Sequence, residues 1–224
     1  MKAFKQIAAI LYKDLLLEIR SKEIISSMLV FSLIVAAIFN FVFDPGSELM
    51  RATAPGILWI ALIFAGNIGL SRSFGREYEN AMMQGLLLCP IDRGLIFVAK
   101  VLGNVLFIGV VQVLSLPLMA VLFDLPLLPL LMPLALILFL GALGFAGVGT
   151  LFSTISAHTK SREVMLPILL FPVVVPVILA GVKSTAALFN RHVAEVWSWL
   201  KILTAFDVIF LTVSFLLYEY VVEE

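Results

Sequence analysis

"SRSFGREYENAMMQGLLLCPIDRGLIFVAK", residues 71–100, is the longest polar interruption in a chain that is otherwise largely apolar. It opens on Arg72, Phe74 and Arg76, passes through Glu77, Tyr78, Glu79 and Asn80, turns apolar at Met82 and stops at Cys89-Pro90. The segments on either side are long and apolar enough to cross a bilayer, so this stretch is a loop at the membrane surface. Residues 72–88 have room for about four helical turns. The segment therefore predicts a charged helix held between two crossings, with Arg76, Glu77, Glu79 and Asn80 presented outward. Met82, Met83, Leu86 and Leu87 turn toward the membrane or a groove, and Pro90 ends the helix. A short helix of this kind suits docking into the cleft of a soluble partner.

The composition supports that frame. Of 224 residues, 62% are hydrophobic and 13% charged, and the mean hydropathy is +1.13. A soluble domain is about 45–50% apolar and about 25% charged. Lys+Arg and Asp+Glu balance at 15 each, so net charge points to no nucleic-acid partner. The single cysteine, Cys89, excludes an internal disulfide and any multi-cysteine metal site.

A hydrocarbon core of about 30 Å takes roughly 20 helical residues. Six stretches supply that: 24–43, 54–71, 95–123, 127–152, 164–182 and 200–221. The third and fourth are joined only by Asp124, Leu125 and Pro126, a tight hairpin. The fold class is thus an all-α integral membrane protein of six transmembrane helices, one permease domain over residues 1–224. Positive charges orient it, because basic loops stay cytoplasmic. Lys2, Lys5, Lys13, Arg20, Lys22, Arg72, Arg76, Arg93, Lys100, Lys160 and Arg162 fall on one side, against Arg51, Lys183, Arg191 and Lys201 on the other. Both termini are predicted to be cytoplasmic, and the first span reads as an anchor, not a cleaved signal.

Residues 1–23 place Phe4, Ile7, Ala8, Leu11, Leu15 and Ile19 at helical spacing, with Lys5, Lys13, Asp14 and Arg20 mostly elsewhere. That pattern predicts an amphipathic helix along the cytoplasmic membrane surface, in contact with lipid. "RHVAEVWSWL", residues 191–200, predicts a second surface helix on the outer side, with Trp197 and Trp199 at headgroup level.

Within the spans, "GALGFAGVGT" (residues 141–150) has small residues on nearly every face, and Gly141, Gly144, Gly147 and Gly149 are assigned to close helix packing. Pro167, Pro172 and Pro176 predict a kinked or broken fifth span, whose freed carbonyls line a path or are satisfied by neighbours. Two readings stand for Asp207: an intramembrane polar site, or the cap of a short last span beginning at Val208. Lys100 lies near the start of the third span, where its stem can reach the cytoplasmic surface. His158 and His192 are both in loops on opposite sides, so no pair inside the bundle can ligate a b-type haem. With no phosphate-binding loop, nucleophile elbow or zinc-protease motif, the chain encodes no hydrolysis of ATP, esters or peptides. If ATP is used, another subunit uses it.

"APGILWIALIFA" (residues 54–65), Arg72 and Phe74 followed by acids, "LLLCP" (86–90) and "VAK" (98–100) together resemble the haem exporter protein B, or CcmB, family. That family is the membrane subunit of the ABC-type exporter of cytochrome c maturation. The resemblance implies an ABC-2-like permease fold in the bacterial inner membrane, two copies pairing, and each binding a separate ATPase subunit that holds the ATP. It also implies a tryptophan-rich haem-handling membrane subunit and a small single-span subunit alongside. Hydrolysis would drive haem export or release of a haem-loaded chaperone, with haem a handled ligand and no cofactor resident in this chain. Arg72, Phe74, Glu77, Glu79 and Pro90 then belong to the cytoplasmic coupling helix. The alternative is an ABC-2 permease exporting a lipid, polysaccharide or drug. An independent secondary transporter would need ion sites in the bundle, for which Asp207 is the only candidate.

Overall fold

The structure, a computed structural model, describes residues 2–44, 46–80, 82–125, 128–157, 159 and 161–223. Pro126, His158 and Lys160 lie outside the described residues. Among the described residues there is no strand. The helices are α1 (Lys2–Ser21), α2 (Glu23–Val42), α3 (Glu48–Glu79), α4 (Met82–Leu87), α5 (Arg93–Leu122), α6 (Leu131–Ala157), α7 (Arg162–Phe189) and α8 (Val193–Glu223). Six of them, α2, α3, α5, α6, α7 and α8, are long and apolar enough to cross a membrane.

Helix α3 is longer than a crossing requires. Its 32 residues extend about 48 Å at about 1.5 Å per residue, against a hydrocarbon core of about 30 Å. Ser47 caps its start, the side chain accepting from the Met50 amide at 3.2 Å. At the other end the helix runs on through Arg72 to Glu79, so the start of the predicted surface helix is the continuation of a span. α6 is the centre of the bundle, packing on α3, α5, α7 and α8. Its glycines permit this. A Cβ on Gly141 would strike the Trp59 indole, one on Gly144 the Asp207 carboxylate and the Phe206 ring, one on Gly147 Leu211, and one on Gly149 Leu70. Trp59 also fills the space a Cβ on Gly181 would take. Its Nε1–H donates to Thr185 Oγ1 at 3.0 Å, and that hydroxyl donates to the Gly181 carbonyl at 2.8 Å. One indole thereby joins α3, α6 and α7 with its polar atom satisfied in the interior.

Three expectations change here. Residues 191–200 form no separate surface helix, because α8 runs unbroken from Val193 to Glu223; the apolar run after Val193 contains neither Gly nor Pro to stop it. That continuity removes the capping reading of Asp207, which lies near the middle of α8. Pro167, Pro172 and Pro176 all sit inside α7, which runs from Arg162 to Phe189, so the fifth span is not broken at them. Pro172 and Pro176 are exposed on the outside of this bundle.

The N-terminal helix joins the bundle through a one-residue elbow. Lys22 takes a left-handed conformation, φ 55°, between the end of α1 and the start of α2. Buried Glu18 accepts from the Ile25 amide at 2.8 Å, serving one of the otherwise unpaired donors at the head of α2. α1 packs mainly against α5 through the face that carries Ile10, while Phe4, Tyr12 and Ile19 are exposed.

Candidate coupling site at one end of the bundle

Where α3 leaves the bundle, helical periodicity sorts its residues. Phe74 and Glu77 turn inward and are buried; Arg72, Glu79 and Asn80 face outward and Arg76 is half-buried. Asn80 ends the helix: its amide and its side-chain Nδ2 both donate to the Arg76 carbonyl, competing with the helical pattern as asparagine does at helix ends. The predicted continuous helix over 72–90 is therefore two pieces, the last turns of α3 and the short α4. Met83 anchors α4 in the core. Gln84, Gly85, Leu88, Cys89 and Pro90 are exposed. The connection to α5 is closed by Arg93 Nη1, which donates to the Leu87 carbonyl at 3.1 Å, and by Asp92, which accepts from the Gly94 amide at 2.8 Å.

Glu77 is not offered to an outside partner. Its Oε1 accepts from Lys100 Nζ of α5 and from Lys13 Nζ of α1 at 3.2 Å. Lys100 also donates to Asp14 Oδ2 at 2.8 Å, and Lys13 pairs with Asp14 Oδ1 at 3.0 Å. The result is a closed ring of two cations and two anions. The side chains of Lys100 and Glu77 are 2% and 5% exposed, so these charges are out of water and stand only because each is paired. Burial by itself lowers the pKa of Lys13, yet the Glu77 and Asp14 carboxylates outweigh it and hold the amine above the ordinary lysine value of 10.5. Lys100, expected to reach the surface, instead turns into the bundle because two carboxylates meet it there.

A second, outer cluster ties the α1–α2 elbow to the same end of α3. Arg72 Nη1 donates to Glu23 at 2.7 Å; Arg76 Nη2 donates to Ser21 Oγ at 2.7 Å and to Glu23 at 3.2 Å. These groups border an open groove of about 950 Å³ whose lining includes Arg20, Glu79, Asn80 and Glu163. With Arg72 and Glu23 about half exposed, these pairs are screened by water and are weak ties. The inner ring is the stronger tie.

Asp207 belongs to another place, the α6–α8 contact. It is 3% exposed, lies against Gly144, and neither carboxylate oxygen has a hydrogen-bond partner among the described residues. Beside α8, His192 is exposed at the opposite end of the bundle, 3.7 Å from Glu195. No group of three His, Cys, Asp or Glu that could hold a metal occurs among the described residues.

Sequence reasoning missed Lys13, Asp14 and Glu18 as site residues. The available signal was Lys100 itself, a cation inside an otherwise apolar run, which needs an anion within reach; the two acids that meet it, Asp14 and Glu77, come from the neighbouring helices α1 and α3.

The protein-family model described as "CcmB protein" matches residues 5–221. The chain is similar to heme exporter protein B of Pseudomonas aeruginosa, 31% identical over 184 residues, which cover 81% of each chain. It is likewise similar to heme exporter protein B of Rhodobacter capsulatus, 31% identical over 175 residues, covering 78% of this chain and 80% of the relative. With heme exporter protein B of Haemophilus influenzae the identity is 26% over 170 residues, 76% of each chain.

Proposed function

The chain belongs to the CcmB protein family and is a multi-pass membrane protein, and we propose that it is the permease subunit of an ABC-type exporter for cytochrome c maturation. In this reading a separate ATPase subunit hydrolyses ATP, and this chain converts the movement into haem export or release of a haem-loaded chaperone. It sits in a bacterial inner membrane with both termini cytoplasmic, as an ABC-2-like fold pairing with a second copy. A tryptophan-rich haem-handling subunit and a small single-span subunit stand beside it. The relatives' name, heme exporter protein B, supports haem as the handled ligand.

One observation carries the coupling role: the outward residues of the α3 end and α4, from Arg72 and Glu79 through Gln84 to Pro90, stand on a base anchored by Phe74 and Met83 and by the buried ring. A coupling segment must pass on a rigid-body movement, and exposed groups on a braced base can do so. Glu77 turns inward, and Glu79, exposed on the outer side of the α3 end, is the acid of this segment that an ATPase subunit can reach by a charge-assisted contact.

Cys89 provides the test. It is the only cysteine and is exposed beside Pro90. A thiol-specific photo-cross-linker placed there in membranes is expected to give one dominant adduct, with the ATPase subunit. Adducts with lipid or with the other membrane subunits alone would place this segment away from the ATPase and sink the reading. The isolated chain, freed of contaminating ATPase, is expected to hydrolyse no ATP, since it has no phosphate-binding loop; turnover that copurifies with this chain through further chromatography would refute the assignment.

A further inference from the structure

We propose that the buried ring of Lys13, Asp14, Glu77 and Lys100 makes α1 a moving part of the coupling unit, with Lys100 as its positioning residue. The proposal rests on the coupling reading of the α3–α4 segment and extends it to a helix that this reading leaves as a membrane-surface anchor.

The geometry is specific. Lys100 is the only member of the ring from α5, and it binds both acids: Glu77 near the end of α3 and Asp14 near the middle of α1. Lys13 also spans both, at 3.2 Å from Glu77 and 3.0 Å from Asp14. Every cation thus touches an anion on α1 and an anion on α3. A movement of the α3 end that left α1 behind would have to separate two pairs at once, Lys13–Glu77 and either Lys100–Asp14 or the fully buried Lys100–Glu77, leaving charges unpaired where water screens them only in part. A second link lies outside the ring and runs the same way, from Arg72 and Arg76 to Glu23 and Ser21. Polar ties therefore connect the α3 end to the middle of α1 and to the α1–α2 elbow, whereas α1 faces outward with Phe4, Tyr12 and Ile19. Force applied to α4 by an ATPase would reach the membrane surface through α1, and the first span through the Lys22 elbow.

Two measurements on the full complex in membranes test this. In Lys100→Met, amide hydrogen exchange over residues 5–21 is expected to rise at least tenfold, with the chain still inserted and the ATPase subunit still copurifying and hydrolysing. Haem attachment to cytochrome c is expected to fall at least tenfold, a split that simple misfolding would not give. In the second measurement, Lys13→Cys and Glu77→Cys in a Cys89→Ser chain are joined by a short reversible bis-thiosulfonate linker. Haem attachment is expected to be low when the tie is reduced and to return to within about twofold of the Cys89→Ser chain when it is closed. Unchanged exchange in Lys100→Met would overturn the clamp. Loosened exchange with normal haem attachment, or a closed tie that leaves attachment low, would overturn the positioning role. The exchange arm needs no ATPase, so failure of the coupling reading, seen as loss of the Cys89 adduct, is separable from failure of the clamp.

Discussion

Glu77→Lys is expected to remove the folded chain from the membrane, and Glu79→Lys, two residues away, to leave it there. Residue 77 would bring a third cation to a site where Lys13 and Lys100 are already held, with Lys100 2% exposed, and Asp14 alone cannot neutralise three. Removing one partner of a buried pair costs about 3–5 kcal/mol, and like-charge contact adds to that. Marginal stabilities of about 5–15 kcal/mol leave little after such a loss. Monodisperse protein recovered after mild detergent extraction is the measurement, with a large fall expected for Glu77→Lys. The double exchange Glu77→Lys/Lys100→Glu restores opposite charges across the α3–α5 contact and should recover much of the yield. Glu79 is exposed, so its reversal should cost far less yield than reversal at the buried Glu77 and should show instead as weaker retention of the ATPase subunit. Equal yields for the two single variants would mean that Glu77 is not buried among cations.

Trp59→Ala is the second large effect. Trp59 is 1% exposed and occupies the slots opened by Gly141 and Gly181. Large-to-small core substitutions at tryptophan cost about 3–5 kcal/mol. In a bilayer the loss is mainly one of packing, since lipid tails are as apolar as the core and van der Waals contact drives helix association. Trp59→Phe keeps most of the contact and loses the hydrogen bond to Thr185, a cost of about 1 kcal/mol. Gly141→Ala forces a methyl group against the indole, about 1–3 kcal/mol. Thermal aggregation midpoints in detergent should therefore rank Trp59→Ala lowest and Trp59→Phe nearest the parent. If Trp59→Ala matched the parent, α3, α6 and α7 would not be packed around the indole.

The six crossings were legible because the bilayer imposes both a length and an apolar composition on each, and the residues 24–43 and 95–123 were placed within about two residues of α2 and α5. The glycines at 141, 144, 147 and 149 were legible as sites of close approach, though which helix each one meets was not. The site was half legible. Charge and position marked residues 72–90 as the membrane-surface feature of interest, but the sequence does not say which way Glu77 points. Helical phase decides that, and the phase is inherited from the span: Phe74 and Glu77 continue the buried face of α3 that carries Leu70. Treating residues 72–90 as an independent helix discarded that phase. Asp14 and Lys13 were hidden for a related reason, since an amphipathic pattern identifies the apolar face of α1 but not the polar residues that meet another helix 64 residues or more along the chain.

The sequence separations of the interior contacts set an order for biogenesis. Glu77 waits 23 residues for Lys100, and Asn104 waits 46 for Thr150. The Trp59 indole waits 126 for Thr185, roughly 6–25 s at synthesis rates of about 5–20 residues per second. For that interval the first helices are in the membrane with the tryptophan slot unbuilt, because both Gly141 and Gly181 arrive later. A nascent chain arrested before α7 would thus hold the end that carries Glu77 and Lys100 closed and its core open, the state in which a membrane insertase or quality-control protease would meet it.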